Sequence, residues 1–131
     1  TTVCADNRVE ANLFEANNRP SSALPGDDTS DLLPGIGVVI AGADRTTLSH
    51  NVIRGHVLAG LTLVDFCLDR ADRCAMPGLP IDPRPDGNHV LGNTFAENQI
   101  DVVSLPNGGV GNCFARNRTP AAGGATLPAC R

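Results

Sequence analysis

The chain of 131 residues contains no tryptophan, no tyrosine and no lysine, and its only aromatic residues are four phenylalanines. Grooves that hold nucleic acids combine stacked aromatic rings with clusters of basic side chains. Because the formal net charge is −4, the composition argues against a nucleic-acid partner. The shortage of aromatic rings also argues against a carbohydrate cleft built on stacking.

Long hydrophobic runs are missing as well. The longest apolar stretch, residues 35–43, reads GIGVVIAGA, whereas a membrane-spanning helix needs roughly 20 such residues. The sequence therefore predicts no membrane span. It begins at Thr1 without a signal-type segment, which is expected of a processed or excised chain.

Five cysteines are more than a cytosolic protein of this size usually carries, and no two of them form a C-x-x-C pair. An exported, oxidising location, extracellular or periplasmic, is therefore expected. Cys67 and Cys74 are predicted to close the second long loop, and Cys113 and Cys130 to join the tail to the last repeat. Cys4 is left over, either unpaired or bonded to another chain or segment.

Asparagine recurs in four similar segments that share one order: apolar, two residues, Asn, one residue, apolar, two residues, Asn or His. The segments are residues 7–17, 46–56, 88–98 and 108–117; their first asparagines are Asn12, Asn51, Asn93 and Asn112, and they close at Asn17, His56, Asn98 and Asn117. The spacing indicates a unit of about 20 residues, with a similar length inserted in each of the first two intervals.

Each unit contains short apolar segments that alternate, are rich in β-branched residues and are bounded by Gly, Asn or Pro, which favours strands. A unit of this size matches one coil of a parallel β-helix, whose coils must stack to bury their apolar faces. Asparagine at the turns tolerates the left-handed conformation and can bond to its copy in the next coil. The predicted interior columns are Val9, Leu48, Val90 and Val110, and Phe14, Ile53, Phe95 and Phe114.

The segments TTLSHNVIRGH, GLTLVDF and HVLGNTFAENQIDVVSL resemble the right-handed parallel β-helix repeat proteins of the pectate-lyase-like superfamily. The resemblance covers about residues 7–117. It implies one all-β domain over residues 1–131, a right-handed parallel β-helix (solenoid) of about three to four coils with loops 18–34 and 67–87 and a tail at 118–131. The superfamily contains lyases, hydrolases, epimerases and surface proteins without any chemistry, so the resemblance implies fold rather than function.

The first repeat begins almost at Thr1, and no capping segment precedes it. An open coil presents unpaired strand edges, which we expect to meet other copies of the chain or another protein. This favours a non-enzymatic structural or recognition module of the cell exterior. Such a module would be a subunit of an assembly or the C-terminal part of a larger secreted protein.

The alternative function is an acidic-polysaccharide lyase or epimerase. The resemblance implies that carboxylates would hold calcium beside a basic residue. Without lysine, the base would be Arg54 or Arg116, which the alignment of repeats places at matching positions. Asp27, Asp28 and Asp31 in the first loop would be the calcium ligands. The competing interpretation of both groups is a solvated charged surface.

The three histidines occupy three different positions of the repeat, which argues against a shared zinc site. His56 stands where the other repeats close with asparagine. It is therefore predicted to take the place of asparagine at that turn.

Overall fold

Short parallel strands build the protein. The computed structural model of the chain describes residues 4–26, 33–67, 81–120 and 127–131. Within these ranges the chain forms twelve strands and no helix. No described segment forms a helix that could cross a membrane.

The strands belong to three parallel sheets and one additional parallel pair. Sheet A contains β2 (Arg8–Glu10), β6 (Thr47–Ser49), β9 (His89–Leu91) and β12 (Cys113–Ala115); sheet B contains β3 (Leu13–Glu15), β7 (Val52–Arg54) and β10 (Thr94–Ala96). Sheet C contains β4 (Ile36–Ala41), β8 (Ala59–Val64) and β11 (Ile100–Ser104), and β1 (Cys4–Ala5) pairs with β5 (Ala43–Asp44).

Along the chain, the strands contribute to sheets A, B and C in the same repeated order. We call one set of three successive strands, one in each sheet, a pass. The first pass covers residues 8–41, the second 47–64 and the third 89–104, and β12 adds one further strand to sheet A. Hydrogen-bonded partners in neighbouring passes lie 39, 42 and 24 residues apart. The all-β class and the parallel pairing predicted from the sequence are confirmed.

The core consists of the inward side chains of the three sheets, stacked pass upon pass. Phe95 and Phe114 stack with ring centroids 6.2 Å apart. Because each strand is only a few residues long, one pass cannot bury these groups without its neighbours. The buried members are Ile40, Leu48, Ile53, Leu61, Leu63, Val90, Phe95 and Val102, with Val9, Phe14, Val38 and Phe114 packed against them.

The predicted register of the last repeat is wrong by one strand. Phe114 pairs with Val90 in sheet A and not with Phe95 in sheet B, and Val110 is 64% exposed. The reason is that the motif Asn-x-apolar-x-x has a period of five residues and occurs twice in each pass, with Thr46 in place of the first asparagine in the second pass. The fourth segment therefore fits two alignments, and Asn112 bonds to Asn88.

The predicted loops and tail lie partly outside the described residues. Residues 18–26 and 33–34 of the first loop connect β3 to β4 without a strand of their own. In the described part of the tail, Arg118 bridges to Thr94 and Ala129 bridges to Phe114, both in parallel orientation.

Candidate functional site

Three columns of polar side chains run along the corners where one sheet meets the next. In the central column, the main-chain nitrogen of each residue donates to the side-chain oxygen one pass further on, at 2.8–2.9 Å. The columns are Asn7, Thr46, Asn88 and Asn112; Asn12, Asn51, Asn93 and Asn117; and Asn17, His56 and Asn98. Seven of these eleven side chains are buried, and the columns satisfy main-chain groups at the turns, so their role is structural.

The residue before each of these column positions lies in the left-handed region. Eleven such residues have positive φ, and seven of them are not glycine, including His50 at 54° and Arg116 at 57°. The bonds that the following asparagine makes hold this otherwise unfavourable conformation. The corners therefore present selected side chains at fixed positions on the surface.

An open cleft of about 740 Å³ lies on the outer face of sheet A at the C-terminal end. Its lining includes outward residues of β9 and β12, such as Leu91 and Ala115, and the tail segment Pro128 to Arg131. A disulfide between Cys113 and Cys130 joins that tail to β12. The Phe114 main-chain nitrogen also donates to the carbonyl oxygen of Pro128 at 2.8 Å.

The cleft is basic. Its lining residues include His89, Arg116 and Arg131 and no aspartate or glutamate. None of these three side chains has an ion pair or side-chain hydrogen bond with another described residue. Unneutralised guanidinium groups in a concave site attract anions.

The two arginines predicted as alternative catalytic bases lie in different places. Arg54 is in β7 of sheet B, where its guanidinium forms an ion pair with Glu15 at 2.6 Å. Arg116 follows β12 of sheet A, one pass beyond Gly92, whose nitrogen donates to the carbonyl oxygen of Ala115. The prediction that both occupy the same position of the repeat is therefore wrong, for the same reason as the register error.

The predicted calcium ligands Asp27, Asp28 and Asp31 lie outside the described residues. Within the described ranges, no group of three or more His, Cys, Asp or Glu side chains is placed to hold a metal ion. Cys74 also lies outside them, so the predicted pairing with Cys67 is not described. Cys4 is a free, exposed thiol.

His56 replaces asparagine in its column, as predicted, and is 1% exposed. The main-chain nitrogen of Asn17 can only donate, so the Nδ1 atom of His56, 3.2 Å away, must accept. Nε2 then carries the proton and donates to the carbonyl oxygen of Phe14 at 3.3 Å. Burial lowers the pKa of His56 below its ordinary value of 6.5, and the Phe14 contact offsets this only in part.

The N-terminal end of the stack is open among the described residues. β2, β3 and β4 are the terminal strands of sheets A, B and C at this end. Val9 and Phe14 are only partly buried here, whereas Leu48 and Ile53, their partners in the second pass, are 1% and 0% exposed. This face therefore combines unpaired strand edges with incompletely covered apolar side chains.

Sequence reasoning identified Arg116 and the cysteines of the cleft but missed His89 and Arg131. The signal for Arg131 was present, because a residue directly after Cys130 must lie beside Cys113 once the two cysteines pair. His89 required the correct register, since it shares the cleft only when β9 pairs with β12.

Comparison with protein-family models, with curated proteins and with solved structures gives no match to this chain. Its function is therefore inferred from the two surfaces described above.

Proposed function

We propose that the chain is a right-handed parallel β-helix of about three to four coils, each coil corresponding to one pass. The recurring order of sheets A, B and C and the parallel pairing between passes support this. The right hand follows from the strong preference of parallel crossover connections. The proposal agrees with the resemblance to the pectate-lyase-like superfamily found in the sequence.

We infer that this β-helix is a non-enzymatic structural or recognition module that joins other copies of itself through its N-terminal end. The observation that carries this proposal is that β2, β3 and β4 all end their sheets at one face. Exposed parallel edges of this kind pair readily with further strands.

The polar columns support the same conclusion. In the inner passes, the side-chain nitrogen of Asn51 donates to the carbonyl oxygen of Val9, and that of Asn93 to Leu48, in each case one pass earlier. Asn12, in the first pass, donates instead to the carbonyl oxygen of Glu10 in its own pass and to the side-chain oxygen of Asn51. Among the described residues, the first pass therefore has no preceding pass for this side chain to bind.

A second copy of the chain is the partner we propose for this face. Closed two-fold assemblies are the commonest oligomers, and they bury the same surface on both subunits. The free thiol of Cys4 lies on β1, whose partner β5 follows the first pass. An exported location, which the Cys113–Cys130 disulfide supports, would allow that thiol to form a bond between copies.

Light scattering of the intact chain, with and without reductant, tests this proposal. We expect at least twice the chain mass of 13.6 kDa, kept in part under reductant because strand edges and not only Cys4 hold the copies. A monomer under both conditions would contradict self-assembly.

A proline in β3 sharpens the test. Val52 donates to the carbonyl oxygen of Asn12, and Ala16 donates to Arg54. By the alternation of parallel strands, the amide of Leu13 then faces away from β7. Leu13→Pro should therefore remove an outward donor and yield monomers, whereas Leu13→Ala keeps the donor and should still assemble.

A further inference from the structure

The basic cleft brings together basic residues that no described acidic side chain pairs with. Outside it, Arg8, Arg45 and Arg54 form ion pairs with Glu10, Asp6 and Glu15, whereas Arg19, Arg84 and Arg118 form none with another described residue. The Nδ1 atom of His50 lies 3.7 Å from the Oε1 atom of Glu10. In a chain with a net charge of −4, a cleft lined by three basic residues and by no aspartate or glutamate is a local cluster of basic groups.

The cleft also has a rigid frame. Arg116 is fixed in the left-handed conformation, and the next residue, Asn117, accepts from the main-chain nitrogen of Asn93 at 2.8 Å and donates to the carbonyl oxygen of Val90 at 2.7 Å. The disulfide to Cys113 holds the segment that carries Arg131. Little ordering is then required when a ligand binds, which favours affinity.

We propose that this cleft binds the oxyanion of a sulfate or phosphate ester. Guanidinium groups match such oxyanions with paired, charge-assisted hydrogen bonds, so Arg116 and Arg131 are the main ligands. His89 offers a ring N–H in either protonation state. A cleft of about 740 Å³ is larger than one oxyanion and accommodates part of the molecule that carries it. This site is independent of the N-terminal assembly face.

Nuclear magnetic resonance titration of the oxidised chain tests the proposal, with methyl sulfate and methyl phosphate as probes at constant ionic strength. We expect saturable shifts confined to the amides of residues 89–91, 111–116 and 129–131. Arg116→Gln should weaken binding about tenfold or more, because a hydrogen bond to a charged group is lost. A preference for one ester identifies which of the two the cleft serves.

The matched control is Arg54→Gln, which removes an arginine from sheet B and should leave both affinities unchanged. Unshifted amides of β7 and β8 in the Arg116→Gln variant verify that its fold is intact. The proposal is overturned if the chemical shifts never saturate or if they change near every arginine. It is also overturned if Arg116→Gln and Arg54→Gln lose equal affinity for the esters.

Discussion

Asn51 and Asn93 lie one above the other, although 42 residues separate them along the chain. The side-chain oxygen of Asn93 accepts hydrogen bonds from the main-chain nitrogen of Asn51 at 2.9 Å and from its side-chain nitrogen at 3.0 Å. Asn93 in turn donates to the carbonyl oxygen of Leu48 at 2.8 Å. A single side chain thus connects the third pass to the second at two places.

Replacing Asn93 should therefore destabilise the stack strongly. Asn93 is 1% exposed, so Asn93→Ala leaves the buried main-chain nitrogen of Asn51 without its acceptor and removes a hydrogen bond to the carbonyl oxygen of Leu48. We expect a loss of about 2–4 kcal/mol in the free energy of unfolding, measured by denaturant titration with circular dichroism. Asn12→Ala is the matched control in the exposed first pass and should cost less than half as much; equal losses would contradict the structural role of the column.

The period of five residues explains both the success and the failure of sequence reasoning. The all-β class followed from Asn and Gly at the turns and from apolar residues between them, because these choices are local. The position of Phe114 did not follow, because the same five-residue motif fits sheet A or sheet B. The order of the sheets distinguishes the two registers, because the strand after β11 of sheet C returns to sheet A. The closure of the tail by Cys130 and Ala129 then forms the cleft that contains Arg131.

Gly37 should tolerate no side chain. A Cβ atom there would lie 2.6 Å from the carbonyl oxygen of Gly60 and 2.6 Å from the Nε2 atom of His56. Gly37→Ala must therefore separate β4 from β8. We expect it to lower the free energy of unfolding by about 2–3 kcal/mol, measured by thermal or denaturant unfolding.

Gly55→Ala provides the comparison for Gly37→Ala. Its Cβ atom would meet nothing nearer than 3.8 Å, and its φ is +73°. Ala16, at the equivalent corner of the first pass, already adopts 49°. We therefore expect Gly55→Ala to lower the free energy of unfolding by about 1 kcal/mol, from the left-handed conformation alone. If Gly55→Ala proved as damaging as Gly37→Ala, crowding at Gly37 would not be the cause.

Acid should weaken the contact between the first and second passes through His56. Because burial lowers the folded-state pKa of His56 below 6.5, the unfolded chain takes up a proton more readily than the folded chain. The contribution of His56 to the free energy of unfolding is therefore fully present above about pH 6.5. It declines as the pH falls towards the folded-state pKa and changes no further below that pKa. Protonation of Nδ1 would also oppose the amide of Asn17.

His56→Asn tests this dependence, since asparagine is the residue at the same column position in the first and third passes. Denaturant unfolding between pH 8 and pH 5 should show a smaller decline in this variant than in the parent chain. His50→Asn, which changes an exposed histidine near Glu10, should keep the parent's decline. If the free energy of unfolding of His56→Asn declined with falling pH as steeply as that of the parent chain, His56 would not be the source of the decline.

The disulfide between Cys113 and Cys130 should hold the tail onto sheet A. The two cysteines are 17 residues apart, and closing a loop of that length stabilises a folded chain by about 3 kcal/mol in the chain-entropy model. The double replacement Cys113→Ser with Cys130→Ser should lower the free energy of unfolding by about this amount. It should also speed hydrogen exchange at the Phe114 amide, whose acceptor is Pro128.

Cys4→Ser is the control for the disulfide experiment, because Cys4 is exposed and is not bonded to the tail, so its loss should leave hydrogen exchange at the Phe114 amide unchanged. Reductant added to the parent chain should also speed exchange at the Phe114 amide, because it breaks the link between Cys113 and Cys130 as the double replacement does. Slow exchange at Phe114 in the double variant would mean that the bridge between Phe114 and Ala129 holds the tail without the sulfur link. In that case the cleft would keep its wall under reducing conditions.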